Sequence, residues 1–175
     1  MHETEAEVAA LQDLLDRSHA RSTDHLKAII HDDRILTAAD LVAVLTGMRV
    51  LSVATVTAHG EPRISALDGH FLHATWSFST SGTSAKARHL EARPAVSVAH
   101  VDGEAMAVFS HGRAVAMSPG HPRWEETLDY WTRHYESSPL DWGPDVRLYD
   151  YRPAWMVGYA FQRAELLRRL EVEGR

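Results

Sequence analysis

Short segments typical of β-strands recur along the chain from Arg49 onward, and they restrict what it can fold into. They are rich in Val, Thr and aromatic residues, which favour strands. Turn residues separate them, as in AHGEP at 58–62 after the first segment. Because most of the connections are short, consecutive strands are expected to run antiparallel. The sequence therefore predicts an antiparallel β-barrel of about six or seven strands.

The individual strands can be placed from the same pattern. The last one is the clearest, because Trp155, Val157, Tyr159 and Phe161 alternate with other residues and so share one face. The sequence DGE at 102–104 predicts a hairpin between two further strands. The remaining predicted strands cover residues 49–57, 63–67, 71–78, 95–101 and 105–117.

Helices are predicted before the barrel and between some of its strands. Apolar residues recur at helix-like spacing over 5–31, and Thr37 is suited to cap a helix that ends near Gly47. Two more helices are predicted over 84–92 and 121–134, with a loop at 136–147. The chain then divides into a helical N-terminal extension (1–36), a barrel domain (37–166) and a charged tail (167–175). The predicted fold class is mainly β (α+β), with peripheral helices.

The composition limits the function. The chain has 175 residues, 45% hydrophobic and 24% charged, which is typical of a soluble globular protein. Its net charge of -6 argues against a nucleic-acid binder, and the absence of cysteine excludes disulfides and thiolate chemistry. The acidic N-terminus does not resemble a signal peptide, and no apolar run approaches the ~20 residues that span a bilayer. We therefore expect a cytoplasmic protein without membrane contact.

One lysine marks a candidate binding site. The chain has only two lysines, and Lys86 lies in the sequence STSGTSAKAR at 79–88, between a predicted strand and a predicted helix. Backbone N–H groups at a helix start attract anions, and here five hydroxyl residues and two cations lie next to them. The pattern predicts a site for a phosphorylated small-molecule cofactor.

No motif for a catalytic side chain or a metal centre is evident. The chain lacks Gly-x-Ser-x-Gly, Gly-x-Gly-x-x-Gly and His-Glu-x-x-His. Its 12 histidines are therefore interpreted as structural or surface residues, although His100 or His111 could ligate a haem iron. This pattern fits a protein whose bound cofactor carries the chemistry, with no side chain as an obligatory catalyst.

Five short sequences follow one another in a characteristic order. They are LSVATV at 51–56, GEPRIS at 60–65, FST at 78–80, SAKARHL at 84–90 and RPAVSV at 93–98. Best over residues 40–117, this order resembles the pyridoxamine 5'-phosphate oxidase-like flavin split-barrel superfamily. The resemblance implies a Greek-key split barrel that forms a homodimer. It also implies FMN, or the deazaflavin coenzyme F-420, in grooves between the subunits.

The resemblance further implies which residues bind the cofactor. By position they are Arg63, Ile64, Ser65, Ala66, Thr80, Ser84, Lys86 and Arg88. The first four would lie on the strand that flanks the isoalloxazine ring and the phosphate, and the backbone of 64–67 could hydrogen-bond the pyrimidine edge. The last four would surround the phosphate, with Arg88 as a second cation.

Two departures from the family pattern bear on the substrate. Pyridoxamine phosphate oxidases resemble one another in having a basic residue at the position of Asp68 in this chain. Their basic C-terminal segment, which binds the substrate, has no counterpart in the tail LEVEGR. Vitamin B6 synthesis is therefore not expected. The resemblance implies an FMN-dependent oxidoreductase that transfers a hydride to or from a small organic substrate. The alternatives are an F-420-dependent reductase of the same fold and a non-catalytic flavin or haem binder.

Overall fold

Six antiparallel strands close into a barrel in the computed structural model, which describes residues 2–173. Gly174 and Arg175, the end of the predicted tail, lie outside the described residues. Around the barrel the strand order is β1-β2-β3-β6-β5-β4, and β4 pairs with β1 to close it. The strands are β1 (Met48–Val56), β2 (Pro62–Leu72), β3 (Thr75–Ser81), β4 (Ala95–Asp102), β5 (Met106–Ala116) and β6 (Val146–Ala160). The predicted antiparallel barrel with peripheral helices is confirmed.

The barrel interior is filled by apolar side chains from alternating strand positions. Leu51 and Val53 of β1 are fully buried, while Ser52 between them is exposed. On β3 and β6, the rings of Phe78 and Tyr149 stack with their centroids 5.5 Å apart. This alternation is the two-residue period of a strand with one face in the core.

Six helices surround the barrel within the described residues. They are α1 (Glu5–Ala20), α2 (Asp24–Ile29), α3 (Ala38–Val44), α4 (Ala85–Ala92), α5 (Trp124–Tyr135) and α6 (Arg163–Glu173), with short 3₁₀ turns at Asp32–Arg34 and Pro139–Asp141. None of the helices in the described part of the chain is long and apolar enough to cross a bilayer. The helical N-terminal segment and the C-terminal helix both pack against the barrel.

Helices α1 and α3 begin with complete capping boxes. The Thr4 and Thr37 hydroxyls each accept from the backbone N–H three residues later, where Glu7 and Asp40 reach back to the cap N–H. The carboxylate of Asp40 also accepts a hydrogen bond from Arg163 at 2.7 Å, which joins α3 to α6. The charged tail thus contributes a helix that is tied to the body of the molecule.

The turn between β2 and β3 lies four to five residues further along than the sequence predicts. The predicted strands 63–67 and 71–78 are instead the longer β2 and a β3 shifted toward Ser81, joined at His73 and Ala74. Both turn residues have positive φ, +54° and +58°, and neither is a usual turn residue. The His73 ring compensates for this strain, because it lies 3.1 Å from Glu7 of α1 and 3.0 Å from Glu126 of α5.

The last strand is much longer than predicted. It begins at Val146, so the irregular segment predicted at 136–147 contains a 3₁₀ turn and leads directly into β6. Pro153 lies inside this strand at a register shift opposite His111 and Gly112. A Cβ on Gly112 would overlap the backbone carbonyl of Arg152, so only glycine fits at this bulge.

Candidate functional site

The barrel is split between β2 and β3. The two strands pair from Leu72–Thr75 to Gly69–Phe78 and then separate. Within the described residues, positions 62–68 pair only with β1, and positions 79–81 only with β6. This leaves one edge of β2 with backbone donors and acceptors that no strand uses, next to the end of β3.

Helix α4 starts where the split opens. Ser84 caps it, and its Oγ accepts from the Ala87 N–H at 3.1 Å. The N–H groups of Ala85 and Lys86 belong to the first turn and have no intrahelical acceptor. The Thr80 hydroxyl at the end of β3 lies 3.3 Å from the Ser84 hydroxyl. The hydroxyls of Thr80 and Ser84 and the two free N–H groups therefore lie together at this helix start.

Lys86 provides a positive charge beside these groups. Its side chain is half-buried, and its ammonium has no ion-pair or hydrogen-bond partner among residues 2–173. The other lysine, Lys27, instead donates to the Ala20 carbonyl at 2.9 Å. A half-buried ammonium without a carboxylate partner favours the approach of an anion.

A chain of contacts connects Lys86 to Arg63. Arg63 lies directly opposite Thr55 in the β1–β2 ladder. The Thr55 hydroxyl lies 2.9 Å from Nδ1 of His89, and His89 is one turn after Lys86 on the same side of α4. The structure therefore brings this end of β2 and the start of α4 to the same region. The guanidinium of Arg63 now pairs with Glu61 at 2.7 Å, with both side chains more than half exposed.

The remaining predicted site residues differ in the side of the strand that they face and in what they contact. Ser65 shares the inward side of β2 with Arg63, whereas Ile64 and Ala66 face outward and are exposed. Arg88 lies on α4, where its guanidinium donates to the Thr83 carbonyl at 2.7 Å. It therefore stabilises the loop before the helix in this arrangement.

Gly82, Asp145 and Arg147 shape the loop before α4, and the sequence singled out neither Asp145 nor Arg147. Gly82 donates to the Asp145 carbonyl at 2.7 Å, and a Cβ on Gly82 would overlap the Asp145 carboxylate. Arg147 lies 3.3 Å from Asp145 and 3.4 Å from Glu91 of α4. Hydrogen bonds from Arg147 to these carboxylates raise its pKa, so it remains a cation. The glycine in the predicted loop was the only sequence signal of this contact.

Neither predicted histidine is arranged as an open iron ligand. His100 is buried, and its Nδ1 lies 3.0 Å from the Val50 carbonyl. His111 is exposed and stacks on Trp155 at 4.9 Å, with Nδ1 2.8 Å from the Ser97 hydroxyl. They lie on different faces of the β4–β5 hairpin. Among the described residues no group of three or more His, Cys, Asp or Glu side chains could hold a metal ion.

The donors at the start of α4 fit a phosphate group. Two free N–H groups, two hydroxyls and the Lys86 ammonium supply several charge-assisted hydrogen bonds. The unpaired edge of β2 beside them offers backbone groups to a planar heterocycle. A phosphorylated cofactor with a hydrogen-bonding ring therefore suits the residues present.

Comparison with known proteins agrees with this geometry. Residues 37–155 match the family model described as "Pyridoxamine 5'-phosphate oxidase". No curated protein matches the sequence significantly.

Solved structures share the fold. A protein of unknown function from Agrobacterium tumefaciens is 24% identical over 67% of this chain, with a TM-score of 0.55, and the match spans 54% of its own length. An FAD-binding protein from Mesorhizobium loti is 22% identical with a TM-score of 0.56, covering 72% of this chain and 94% of that one. An F-420 reductase is 20% identical with a TM-score of 0.52, covering 65% and 93%.

Proposed function

We propose that this chain, which belongs to the pyridoxamine 5'-phosphate oxidase family, is a flavin-dependent oxidoreductase that binds FMN. The observation that carries this proposal is the capped start of α4, where the unpartnered Lys86 ammonium lies beside the split between β2 and β3. When bound, FMN would supply hydride transfer to or from a small organic substrate. The protein would bind and orient it, without an obligatory catalytic side chain.

Each group at the site then has a binding role. Lys86, Thr80 and Ser84, with the two free N–H groups, would hold the phosphate. Arg63 would exchange its exposed ion pair with Glu61 for the cofactor at little cost, since exposed pairs contribute only about 0–1 kcal/mol. The unpaired backbone of 64–67 would bond the ring edge. Arg88 would act indirectly, by holding the Thr83 carbonyl.

The charge pattern around α4 favours FMN over coenzyme F-420. The cations of this region alternate with the carboxylates of Glu61, Glu91 and Asp145. Such a surface suits one compact phosphate better than the extended polyglutamate tail of the deazaflavin. The exposed carboxylate of Asp68 on β2 likewise disfavours a phosphorylated substrate.

We also propose that the protein acts as a homodimer in the cytoplasm. The outer surface of β2, β1 and β4 exposes Ile64 by 74%, Val50 by 54% and Val101 by 54%. Small residues lie between them at Ser52 and Ala99, which are paired across β1 and β4. This face of small and apolar residues, which also carries the exposed Asp68 opposite Val50, suits a second copy, which would place the split beside the partner subunit.

The two lysines allow a matched test of cofactor binding. We expect FMN to bind the wild-type protein at micromolar concentrations, with a shifted visible spectrum and quenched flavin fluorescence. Lys86→Met should weaken binding by about 30-fold or more, because a charge-assisted bond to the phosphate is lost. Lys27→Met removes an equal charge from α2, where the ammonium bonds the Ala20 carbonyl, and should bind as wild type. Unchanged affinity in Lys86→Met would contradict the proposal.

The same titrations separate the alternatives. Tighter binding of F-420 than of FMN would identify the deazaflavin reductase. A Soret band on haem addition would identify the haem binder. Flavin binding without turnover, with reduced nicotinamide as donor and a broad panel of acceptors, would identify a non-catalytic flavin protein.

A further inference from the structure

A second cavity lies away from the split, under the N-terminal segment. It encloses about 510 Å³ between residues 2–8, helix α3, the end of β2 and helix α5. Phe71 and Leu72 of β2 form its buried floor, and Val42 and Ala43 of α3 form one wall. Six residues separate Phe71 from Ser65, and at about 3.3 Å per residue this is about 20 Å along the strand. The cavity is therefore distinct from the candidate cofactor site.

The polar groups of this cavity are concentrated at its rim. Glu3 and Tyr130 line it together, and the His2 ring meets the edge of the Tyr130 ring at 5.0 Å. Burial, followed by the nearby Glu3 carboxylate, raises the pKa of Tyr130, so its hydroxyl keeps its proton. None of the described lining residues is Lys or Arg. A carboxylate and an aromatic ring thus lie beside an apolar floor, and His2 is the one basic residue in the described lining.

We propose that this cavity binds a small organic amine with an aromatic or aliphatic tail. The ammonium group would pair with Glu3 and lie against the Tyr130 ring, since a cation is attracted both to a carboxylate and to the face of an aromatic ring. The tail would cover Phe71, Leu72 and Val42. The volume lies within the range of about 300–1,000 Å³ that is usual for small-molecule sites. The inference does not depend on the cofactor proposal.

Three probes of nearly equal shape test the charge preference. 2-Phenylethylamine, 2-phenylethanol and phenylacetate would be titrated into the full chain, and amide shifts followed by NMR at Thr46, Gly47 and Leu72. We expect the amine to bind with a Kd on the order of 1 mM, as suits so small a ligand. The alcohol should bind about fivefold more weakly, and phenylacetate more weakly still, because each loses the Glu3 contact.

Two variants locate the effect. Glu3→Gln should reduce amine affinity to that of the alcohol and leave alcohol affinity unchanged. Ala43→Trp, at an exposed lining position, should fill the cavity and reduce the binding of both. Ala9→Trp, at an exposed position of α1 outside the lining, is its control.

The proposal fails on any of three results. One is equal affinity of the wild-type protein for the amine and the alcohol. Another is wild-type binding by Ala43→Trp. The third is an absence of shifts at Thr46, Gly47 and Leu72 up to saturating probe. Melting curves of each variant would show that the protein is folded, so a loss of binding cannot come from unfolding.

Discussion

At the scale of single residues, His70 is the titratable group most affected by its surroundings. It is fully buried on β2 and lies 4.7 Å from the rings of both Trp131 and His134, with Nε2 3.1 Å from the Tyr135 hydroxyl. Burial, followed by the nearby charge of His134, lowers its pKa to about 4. His70 is therefore neutral in the folded protein at pH 7.

This shift makes stability depend on pH in a defined window. Between the usual histidine pKa of about 6.5 and the folded value of about 4, the unfolded chain binds a proton that the folded chain does not. Stability should therefore fall as the pH drops from about 6.5 to about 4, by at most about 3 kcal/mol. Below pH 4 this contribution is constant.

Urea unfolding at several pH values measures the effect. His70→Gln should be less stable at pH 7 but lose stability less steeply between pH 6.5 and 4. His134→Gln removes an exposed histidine from the same cluster and should keep nearly the wild-type slope. Equal slopes for wild type and His70→Gln would show that His70 titrates normally.

Gly82 offers a second residue-scale prediction, at the candidate cofactor site. A Cβ there would overlap the Asp145 carboxylate and the Arg147 guanidinium, so the loop before α4 must move to admit it. Gly82→Ala should weaken FMN binding about tenfold, since small misplacements of binding groups are costly. Gly143→Ala is the control, because its Cβ would meet Val146 only at an ordinary 3.9 Å. Calorimetric titration of both variants with FMN measures the difference. Equal FMN affinities would mean that the loop can move to admit the Cβ without a loss of binding.

At the scale of secondary-structure elements, the sequence predicted the helices and strands that have clear local signals. Ser84 and Thr37 mark helix starts, and the apolar alternation around Trp155 marks a strand, because capping and periodicity act over a few residues. The β2–β3 turn was misplaced because His73 and Ala74 adopt positive φ through long-range contacts to α1 and α5. The start of β6 was missed because Pro153 suggests a break, and only Gly112 on the neighbouring strand accommodates it.

The same distinction applies to the site. Lys86, Thr80 and Ser84 could be found because they are close in sequence and share a helix start. The contribution of Asp145 to the loop depends on the β3–β6 pairing, which no local pattern indicates. Local chemistry therefore indicated the candidate anion site, and topology determined what surrounds it.

The attachment of α6 is an element-scale prediction. Arg163 donates to Asp40 at 2.7 Å, and the Asp40 side chain is nine-tenths buried. Burial alone would raise the pKa of Asp40, but the hydrogen bonds from Arg163 and Thr37 lower it overall. Arg163→Gln should reduce the free energy of unfolding by about 1–2 kcal/mol, because a buried carboxylate loses its cation.

A control lies on the same helix. Arg169 pairs with Glu165 at 3.2 Å, but its side chain is 67% exposed. Arg169→Gln should therefore cost less than about 0.5 kcal/mol. Equal losses in the two variants, measured by denaturant unfolding, would contradict a special role for the Asp40 contact.

At the scale of the whole molecule, three exposed apolar side chains share one face of the barrel. The His73, Glu7 and Glu126 cluster lies on the side of the barrel covered by α1 and α5. The exposed side chains of Val50, Val101 and Ile64 lie on β1, β4 and the start of β2, away from the end of β2 that packs against α5. An apolar sheet face without a covering helix is the part of this molecule best suited to bury itself against a second copy.

This arrangement predicts a dimer that can be disrupted at a known position. Light scattering during size-exclusion chromatography should give twice the 19.6 kDa chain mass for the wild-type protein. Val50→Asp combined with Val101→Asp should give the monomer, because four carboxylates would be buried in an interface of about 800 Å² per subunit. Val172→Asp, at a 76% exposed position on α6, should remain dimeric.

If the split binds its cofactor against the partner subunit, the monomeric variant should also lose FMN affinity. A monomeric wild-type protein that binds FMN tightly would show that each chain forms the whole site.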